Sequence, residues 1–435
     1  MAGACGSGCY KAEEEEVEKE IENTGRTCYK CKVAKIIEST GGLCGECLDR
    51  SLFAKFKQAV STQNLISPTD NVLLAFSGGP CSRVALEFVH EMQNKAQKNR
   101  DASRNKSYPV FGVGVAFIDE TAVTSLQLDK AIQDLRMIVS SLAPPRKELH
   151  IMPIQTILSD DDDVNRLKEL LLTVTDVTGK EDLLLHLRML CLQKVALENN
   201  YNKLILGSCT SRIACHVLSA TVKGQGYSLP ADIQYADARW EIPVVLPLRD
   251  CVSQELNMLC RLNSLKTLDS FDSPRSGINE LVSTFITLLM EENPARERTI
   301  VRTAEKLVPF QFNRINESLD SGDRRRRRKV NLKSYESISS EFLCPICCSP
   351  VNNLDLEYLK SKLESCATSP TVFGESCCPS CQFQILPKES SSMEHFYSLV
   401  PQQMITRVKD SVGGDQAWLR EQIEDCLLSD GEDEV

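Results

Sequence analysis

The chain has 435 residues, of which 42% are hydrophobic and 25% are charged, a size and balance typical of a globular protein with two or three domains. No apolar run approaches the roughly 18 residues of a membrane-spanning helix, and the chain does not start with the apolar stretch of a secretory signal. Together with the Cys-x-x-Cys pairs among its 20 cysteines, these features favour an intracellular, metal-binding protein over a disulfide-bonded secreted one.

The net charge of −10 is concentrated at the two ends of the chain. Residues 12–22 carry seven Glu against one Lys, and residues 411–435 carry eight acidic residues against one Arg. Because these ends hold more negative charge than the chain as a whole, the remainder is mildly basic. Acidic segments of this kind are typically disordered, so we expect a disordered tail over 1–25 and an acidic tail at the end of a C-terminal segment, 391–435.

The first predicted module spans 26–60 and contains two Cys-x-x-Cys pairs. Cys28 and Cys31 are separated by twelve residues from Cys44 and Cys47. Each pair turns two thiolates toward one ion, and two pairs complete the tetrahedral shell that zinc prefers in structural sites. The spacing therefore predicts a zinc site, whose metal would stabilise a unit too small to fold alone.

Short apolar runs alternate with longer helical patterns over 68–270. The predicted strands are 72–76, 109–118, 150–157, 203–206 and 240–248, and the predicted helices are 82–98, 124–142, 183–199 and 212–222. Strands separated by helices of this length imply crossover connections and a largely parallel sheet with helices on both faces. In such sheets ligands bind at the C-terminal ends of the strands, where the strand order reverses.

A polar, helical extension is predicted over 271–320, followed by a basic linker over 321–338. The linker contains six consecutive cations, Arg324, Arg325, Arg326, Arg327, Arg328 and Lys329. Six adjacent positive charges repel one another and do not enter a core. Three interpretations stay open: contact with an RNA backbone, a nuclear-localisation segment and an inert solvated linker.

A second cysteine-rich module is predicted over 339–390. It contains Cys344-Pro-Ile-Cys347-Cys348 and Cys377-Cys378-Pro-Ser-Cys381. The Cys-x-x-Cys frame favours a second zinc site, with the ligands Cys344, Cys347, Cys378 and Cys381. Cys348 and Cys377 stay open as alternatives, because each is adjacent to a predicted ligand.

A Gly-rich turn follows the first predicted strand and precedes a helix, with the sequence Ser77-Gly78-Gly79-Pro80-Cys81-Ser82. Unpaired N–H groups at a helix N-terminus favour anions, so Ser77, Gly78, Gly79 and Ser82 are candidates for holding a phosphate. The turn resembles the Ser-Gly-Gly-Lys-Asp-Ser pyrophosphate loop of the adenylating ATP pyrophosphatase family. Pro80 stands in place of the Lys of that loop, and Cys81 in place of its Asp.

A second turn, over 207–212, also lacks charged residues that the same family has at the aligned positions. In tRNA-thiolating members this strand ends in Gly-His-Asn-x-Asp-Asp, which helps to organise ATP and magnesium. Here Ser208 and Cys209 replace the His-Asn pair, and Ser211 and Arg212 replace the paired Asp. Losing two carboxylates removes oxygen ligands for a hard cation such as Mg²⁺.

The cysteines that tRNA-thiolating members use are also missing at the aligned positions. Met189 stands where the catalytic cysteine is expected, and the second cysteine would fall near Ser270. Sulfur carriers and iron–sulfur clusters need thiolates, which these positions cannot supply. Small buried apolar thiols are the simplest interpretation of the nearby Cys191, Cys209 and Cys215.

The altered loop, the altered second turn and the terminal cysteine modules together resemble the cytoplasmic tRNA 2-thiolation protein 2 family over about residues 26–390. The resemblance implies an α/β fold, in which a parallel-sheet adenine-nucleotide alpha hydrolase-like (ATP pyrophosphatase) domain is flanked by N- and C-terminal zinc-ribbon-like modules. It also implies a cytoplasmic heterodimer with the catalytic subunit, cytoplasmic tRNA 2-thiolation protein 1. The complex would place sulfur from a thiocarboxylated ubiquitin-like modifier on the wobble uridine (U34) of the tRNAs for Lys, Glu and Gln.

The resemblance further implies that the partner binds ATP and Mg²⁺, while this chain contributes fold, partner surface and tRNA contacts. Two other hypotheses stay open from the sequence. One is a self-sufficient tRNA sulfurtransferase that uses Cys81 or Cys191, since a thiol at a helix N-terminus can have a lowered pKa. The other is a zinc-dependent scaffold that does not bind RNA.

Overall fold

The computed structural model describes residues 27–33, 42–103, 109–123, 128–158, 164–268, 277–307, 343–351 and 369–408. Its centre is a six-stranded sheet, formed by β1 (Asn71–Ala75), β2 (Gly112–Asp119), β3 (Glu148–Pro153), β4 (Lys203–Leu206), β5 (Ala236–Asp237) and β6 (Val244–Val245). The strand order is β3-β2-β1-β4-β6-β5, and every neighbouring pair is parallel except β5 with β6. The predicted α/β fold with a largely parallel sheet is confirmed.

Helices connect the strands and cover both faces of the sheet. They are α1 (Gly45–Thr62), α2 (Pro80–Ala102), α3 (Leu128–Ser141), α4 (Val164–Thr173), α5 (Val177–Glu198), α6 (Thr210–Val222), α7 (Leu229–Asp232), α8 (Ser253–Leu262), α9 (Gly277–Glu292), α10 (Arg296–Ala304), α11 (Pro370–Ser376), α12 (Pro379–Gln384) and α13 (Ser390–Leu399). Among the helices of the described ranges, none is long and apolar enough to cross a membrane.

Two predicted strands differ from the observed ones. The run 240–248 contributes only the two residues of β6, because Pro243 and Pro247 flank it and lack the N–H group that a longer ladder needs. The run 150–157 divides into β3, which ends at Pro153, and a 3₁₀ turn over Ile154–Ile157. The short antiparallel strand β5 was not predicted from the sequence.

The two faces of the sheet bury different parts of the chain. Leu74 and Val115 point to the face that packs against α1, α2 and α8, where Phe56 and Phe88 lie with ring centroids 5.6 Å apart. Leu73 points to the other face, whose apolar cluster includes residues of α5, α6 and the segments 343–351 and 369–408. The N-terminal and C-terminal cysteine-rich segments therefore pack on opposite faces of one sheet.

Candidate functional site

The Gly-rich turn lies where the strand order reverses. The neighbouring strands β1 and β4 lead to chain connections in opposite directions across the sheet, and the turns that follow them lie side by side. Gly78 has a φ of +84°, a conformation that glycine adopts most easily. Gly79 is the N-cap of α2 and Pro80 is its first residue, which suits the fixed φ of proline.

The polar groups of this turn bond to one another. The Ser77 hydroxyl donates to Ser82 Oγ at 3.2 Å, and the Ser82 hydroxyl donates to the Gly79 carbonyl at 2.9 Å. The segment after α8 closes over the turn, because the Leu268 N–H donates to the Gly78 carbonyl at 3.0 Å. A side chain at Gly78 would begin 2.8 Å from Leu268 Cβ, so the leucine occupies the space directly above this glycine.

The second turn packs closely against the first. A Cβ on Gly207 would lie 2.9 Å from the backbone nitrogen of Ser82, so only glycine permits this approach. Cys209 is the N-cap of α6, and Ser211 accepts a hydrogen bond from the Ser253 N–H at 3.0 Å. The positions that align with the paired Asp of the second turn in tRNA-thiolating members of the ATP pyrophosphatase family, Ser211 and Arg212, thus present a hydroxyl and a guanidinium here. The turn lacks the carboxylates that would complete a Mg²⁺ site.

Two thiols also meet between the two turns. Cys81 Sγ donates to Cys209 Sγ at 3.8 Å, and both residues are buried. This hydrogen bond and burial raise the pKa of Cys81. The hydrogen bond that Cys209 accepts from Cys81 lowers the pKa of Cys209 to about 6, although burial alone would raise it. The N–H groups and the Arg212 cation at the start of α6 lower this pKa further. Sequence reasoning treated Cys209 as an isolated thiol, although both cysteines follow strands of one parallel sheet.

Cys191 lies elsewhere, inside the layer formed by α5. Its side chain is fully buried, and its thiol donates to the Ile154 carbonyl at 3.6 Å. Burial raises its pKa to about 12, because the surroundings disfavour a thiolate. Met189, two residues earlier on α5, is partly buried against the same core.

The N-terminal cysteine group is assembled from a loop and the start of α1. The sulfurs of Cys28, Cys31, Cys44 and Cys47 all lie within 4.8 Å of one another. Burial opposes the charged form of Cys28, but N–H groups of Cys31, Cys44 and Lys30 donate toward its sulfur and lower its pKa to about 6. Four thiols converging in this way match the donor set of a structural zinc site.

The C-terminal cysteine group has the same construction. The sulfurs of Cys344, Cys347, Cys378 and Cys381 lie within 4.8 Å of one another, and Cys378 is the N-cap of α12. The Cys377 thiol instead donates to the Phe373 carbonyl at 3.3 Å. Within the described residues, these two cysteine groups are the only ones of three or more His, Cys, Asp or Glu side chains positioned to share a metal ion.

Two arginines, Arg239 and Arg407, connect the C-terminal group to the α/β layer. Arg239 bonds to Asp232 and Asp237 and donates to the Cys348 carbonyl at 3.4 Å. Arg407 donates to the Pro345 carbonyl at 3.1 Å, and its guanidinium lies 5.1 Å from the centre of the Trp240 ring. The loop that carries Cys344 and Cys347 is therefore held by two charged side chains that bond to its carbonyl groups.

The arginine run Arg324–Lys329, the acidic tails and the predicted linker lie outside the described residues. The assignment of zinc to the two cysteine groups and the domain boundaries stay predictions. What the described residues show is a pair of packed turns without the charged groups of an ATP site, and two four-cysteine groups that could hold metal ions.

Comparison with known proteins identifies the family. No protein-family model matches the chain. It is 51% identical to "Cytoplasmic tRNA 2-thiolation protein 2" of Arabidopsis thaliana, covering 100% of this chain and 99% of the relative. It is 49% identical to the protein of the same name from Oryza sativa subsp. indica, covering 94% of this chain and 90% of the relative.

Among solved structures, the chain resembles the U34-tRNA thiolase NcsA from Methanococcus maripaludis, determined with its 4Fe-4S cluster. The TM-score is 0.50 at 18% identity, covering 64% of this chain and 86% of the thiolase. This likeness supports the fold assignment. The two plant relatives match nearly end to end, and the chain belongs to the cytoplasmic tRNA 2-thiolation protein 2 family.

Proposed function

We propose that this chain is a non-catalytic subunit of the cytoplasmic complex that thiolates the wobble uridine (U34) of tRNA. In this proposal the catalytic partner, cytoplasmic tRNA 2-thiolation protein 1, binds ATP and Mg²⁺ and adenylates the uridine. The partner also transfers sulfur from a thiocarboxylated ubiquitin-like modifier to the tRNAs for Lys, Glu and Gln. This chain contributes structure, a partner surface and tRNA contacts, and zinc fills its two four-cysteine groups.

The observation that carries the proposal is the state of the two packed turns. Pro80 and Cys81 occupy the Lys and Asp places of the pyrophosphate loop, and Arg212 occupies a carboxylate place of the second turn. Leu268 closes over Gly78, and the serine hydroxyls of the loop are bonded within it. Binding a Mg²⁺–triphosphate here would require the Lys of the loop, carboxylate ligands and open space above Gly78. Pro80, Cys81 and Arg212 stand at the side-chain positions, and Leu268 fills the space.

The thiols of the competing hypothesis are poorly suited to carrying sulfur. Cys191 is fully buried with its pKa raised to about 12, and Cys81 is 5% exposed with its pKa also raised. A sulfur carrier attacks as the thiolate and must reach the thiocarboxylate of a protein donor and the uridine of a tRNA, two macromolecules too large to enter a buried layer. Burial of both side chains therefore favours the non-catalytic role over a self-sufficient sulfurtransferase.

A reconstitution experiment tests the proposal. The metal-loaded chain is assayed with ATP, Mg²⁺, tRNA and the thiocarboxylated modifier, alone and with the catalytic partner, for pyrophosphate release and for 2-thiouridine by mass spectrometry. We expect neither product from the chain alone and both from the pair, and the double variant Pro80→Lys/Cys81→Asp should still be inactive alone. Pyrophosphate release by the isolated wild-type chain would contradict the non-catalytic role.

The tRNA contact can be tested separately on the arginine run. Replacing Arg324–Lys329 by Gln removes six cations, so tRNA affinity should fall. The negative slope of log K against log salt should become shallower by up to about 4. A matched control replaces six acidic residues of 411–435 by Gln, which should not weaken binding. If the basic variant binds tRNA with an unchanged salt slope, the run is an inert linker.

A further inference from the structure

The thiols of Cys81 and Cys209 form a pair that nothing in the proposed function uses. Their sulfurs are 3.8 Å apart, although the residues are separated by 128 positions in the chain. Each thiol lies at a helix start, Cys81 in the first turn of α2 and Cys209 at the N-cap of α6. Both helices follow neighbouring parallel strands, so the sheet itself sets the distance between the sulfurs.

The surroundings hold the two turns rigidly around this pair. Gly207 packs directly against the backbone of Cys81 and Ser82. A Cβ added to Gly207 would lie 3.1 Å from the Cys81 carbonyl carbon and 2.9 Å from the Ser82 nitrogen. The Thr210 N–H, one residue after Cys209, donates to the Cys251 carbonyl at 2.9 Å. The sulfurs are consequently held in contact by backbone packing on both sides, and a short approach of one to the other would bring them to bonding distance.

The pair is also chemically unequal, which favours one sulfur as the attacking thiolate. Cys81 donates its hydrogen bond to Cys209, and the positive N-terminal end of α6 and Arg212 favour negative charge on the Cys209 sulfur. The geometry therefore places negative charge of the pair on the Cys209 sulfur and the shared proton on Cys81. Cys191 and Cys251 are buried cysteines with pKa values raised to about 12, and neither has such an arrangement.

We propose that Cys81 and Cys209 are a redox-active dithiol, which a peroxide oxidises to a disulfide linking the two turns. The Cys209 thiolate attacks one peroxide oxygen and the O–O bond breaks. Cys209 becomes a sulfenic acid, and hydroxide is the leaving group. The Cys81 sulfur then displaces hydroxide from that sulfur, and its proton goes to the leaving group to form water. With hydrogen peroxide, two thiols give one disulfide and two waters, and the two electrons pass from sulfur to oxygen.

Peptide mapping tests this inference without any assay of thiolation. Trypsin places Cys81 in the peptide 58–83 and Cys209 in the peptide 204–212, and each peptide contains a single cysteine. The metal-loaded full chain is treated with hydrogen peroxide at doses that leave both four-cysteine groups metal-bound, then denatured, alkylated and digested. We expect the two peptides as one cross-linked species, two hydrogens lighter than their sum, which a reductant separates.

Cys191 provides the matched internal control, because it is buried but contacts a carbonyl instead of a second thiol. Its peptide, 189–194, should stay fully alkylated at the same dose. The variants Cys81→Ala and Cys209→Ala should each abolish the cross-link. Cys209→Ala should leave Cys81 alkylated, whereas Cys81→Ala should leave a sulfenic acid on Cys209 that dimedone labels, because the resolving thiol is gone. The proposal would be overturned if both wild-type peptides were recovered fully alkylated, oxidised only to sulfinic acid, or joined to other cysteines. This measurement uses the wild-type chain, so it does not depend on how either variant folds.

Discussion

Alanine substitutions at Gly78 and Gly79, compared with each other, distinguish a packed structural turn from a working nucleotide loop. In the structure Gly78 has a φ of +84°, and a Cβ added there would lie 2.8 Å from Leu268 Cβ. Gly79, the next residue, has a φ of −78°, and the nearest atom to an added Cβ is Ser77 Oγ at 3.9 Å. The two glycines therefore form a matched pair, in which only the first is in tight contact.

The expected cost at Gly78 has two parts. A left-handed backbone costs an L-residue about 1–2 kcal/mol, and overpacking of a buried contact costs about 1–3 kcal/mol more. Gly78→Ala should therefore lower the free energy of unfolding by about 2–5 kcal/mol, and it should weaken the Leu268 N–H bond to the Gly78 carbonyl. Gly79→Ala changes only a helix N-cap and should cost about 1 kcal/mol.

Urea unfolding of the metal-loaded chain measures both free energies, and tRNA thiolation by the reconstituted pair measures function. We expect the complex with Gly79→Ala to thiolate tRNA as the wild type does, because a loop that binds no nucleotide brings no phosphate to that backbone. In a nucleotide-binding loop the same alanine would intrude on the phosphates. Loss of thiolation in Gly79→Ala with stability preserved would refute the structural interpretation of the turn.

Three further predictions concern stability. Lys223→Met leaves the buried Asp182, to which Lys223 bonds at 2.8 Å, without its cation and should cost about 3–5 kcal/mol in urea unfolding. Adding Asp182→Asn should recover part of that loss, and no recovery would disprove the pairing. Burial would raise the pKa of Asp232, but Arg239 and hydrogen bonds hold it well below its usual value. The stability from this group should be present above about pH 4 and lost as pH falls further, and a urea series in Arg239→Met should show a smaller loss. Cys381→Ser should reduce bound zinc by half, measured by mass spectrometry, and lower the unfolding midpoint of the whole chain, since its module shares a core with the sheet. Retention of both metals would contradict that ligand assignment.

Strand positions were predictable wherever a short apolar run ended at a glycine or serine. Strand β4 coincides with the predicted 203–206, because Gly207 ends the run and starts the turn. The run 240–248 was overextended, because apolar content outweighed the flanking prolines in the prediction. Hydrophobic periodicity reports burial, whereas ladder length depends on donors that proline lacks.

The pairing of distant residues could not be predicted in the same way. The sequence alone shows that the turns 77–82 and 207–212 lack the Lys and Asp residues of the family's ATP site, because each of these is a single aligned position. The contact of Leu268 with Gly78, 190 positions earlier, and that of Cys81 with Cys209 depend on the strand order and on how the chain returns after α8. Strand order is set by long-range packing, which local patterns do not encode.

The two cysteine groups were the most predictable feature of the site, because a Cys-x-x-Cys spacing already brings two thiols to one side of a turn. What spacing did not show is that the modules pack on opposite faces of the sheet and that Arg239 and Arg407 connect the second module to it. These contacts connect side chains whose partners lie more than 60 positions away.

The most direct test of the central claim is the number of ATP molecules that the reconstituted pair binds at equilibrium with Mg²⁺. If the turns at 77–82 and 207–212 hold no working nucleotide site, calorimetry should give one ATP per heterodimer and no binding to this chain alone. Two ATP molecules per heterodimer, or saturable binding by the isolated chain that Gly79→Ala abolishes, would contradict the account.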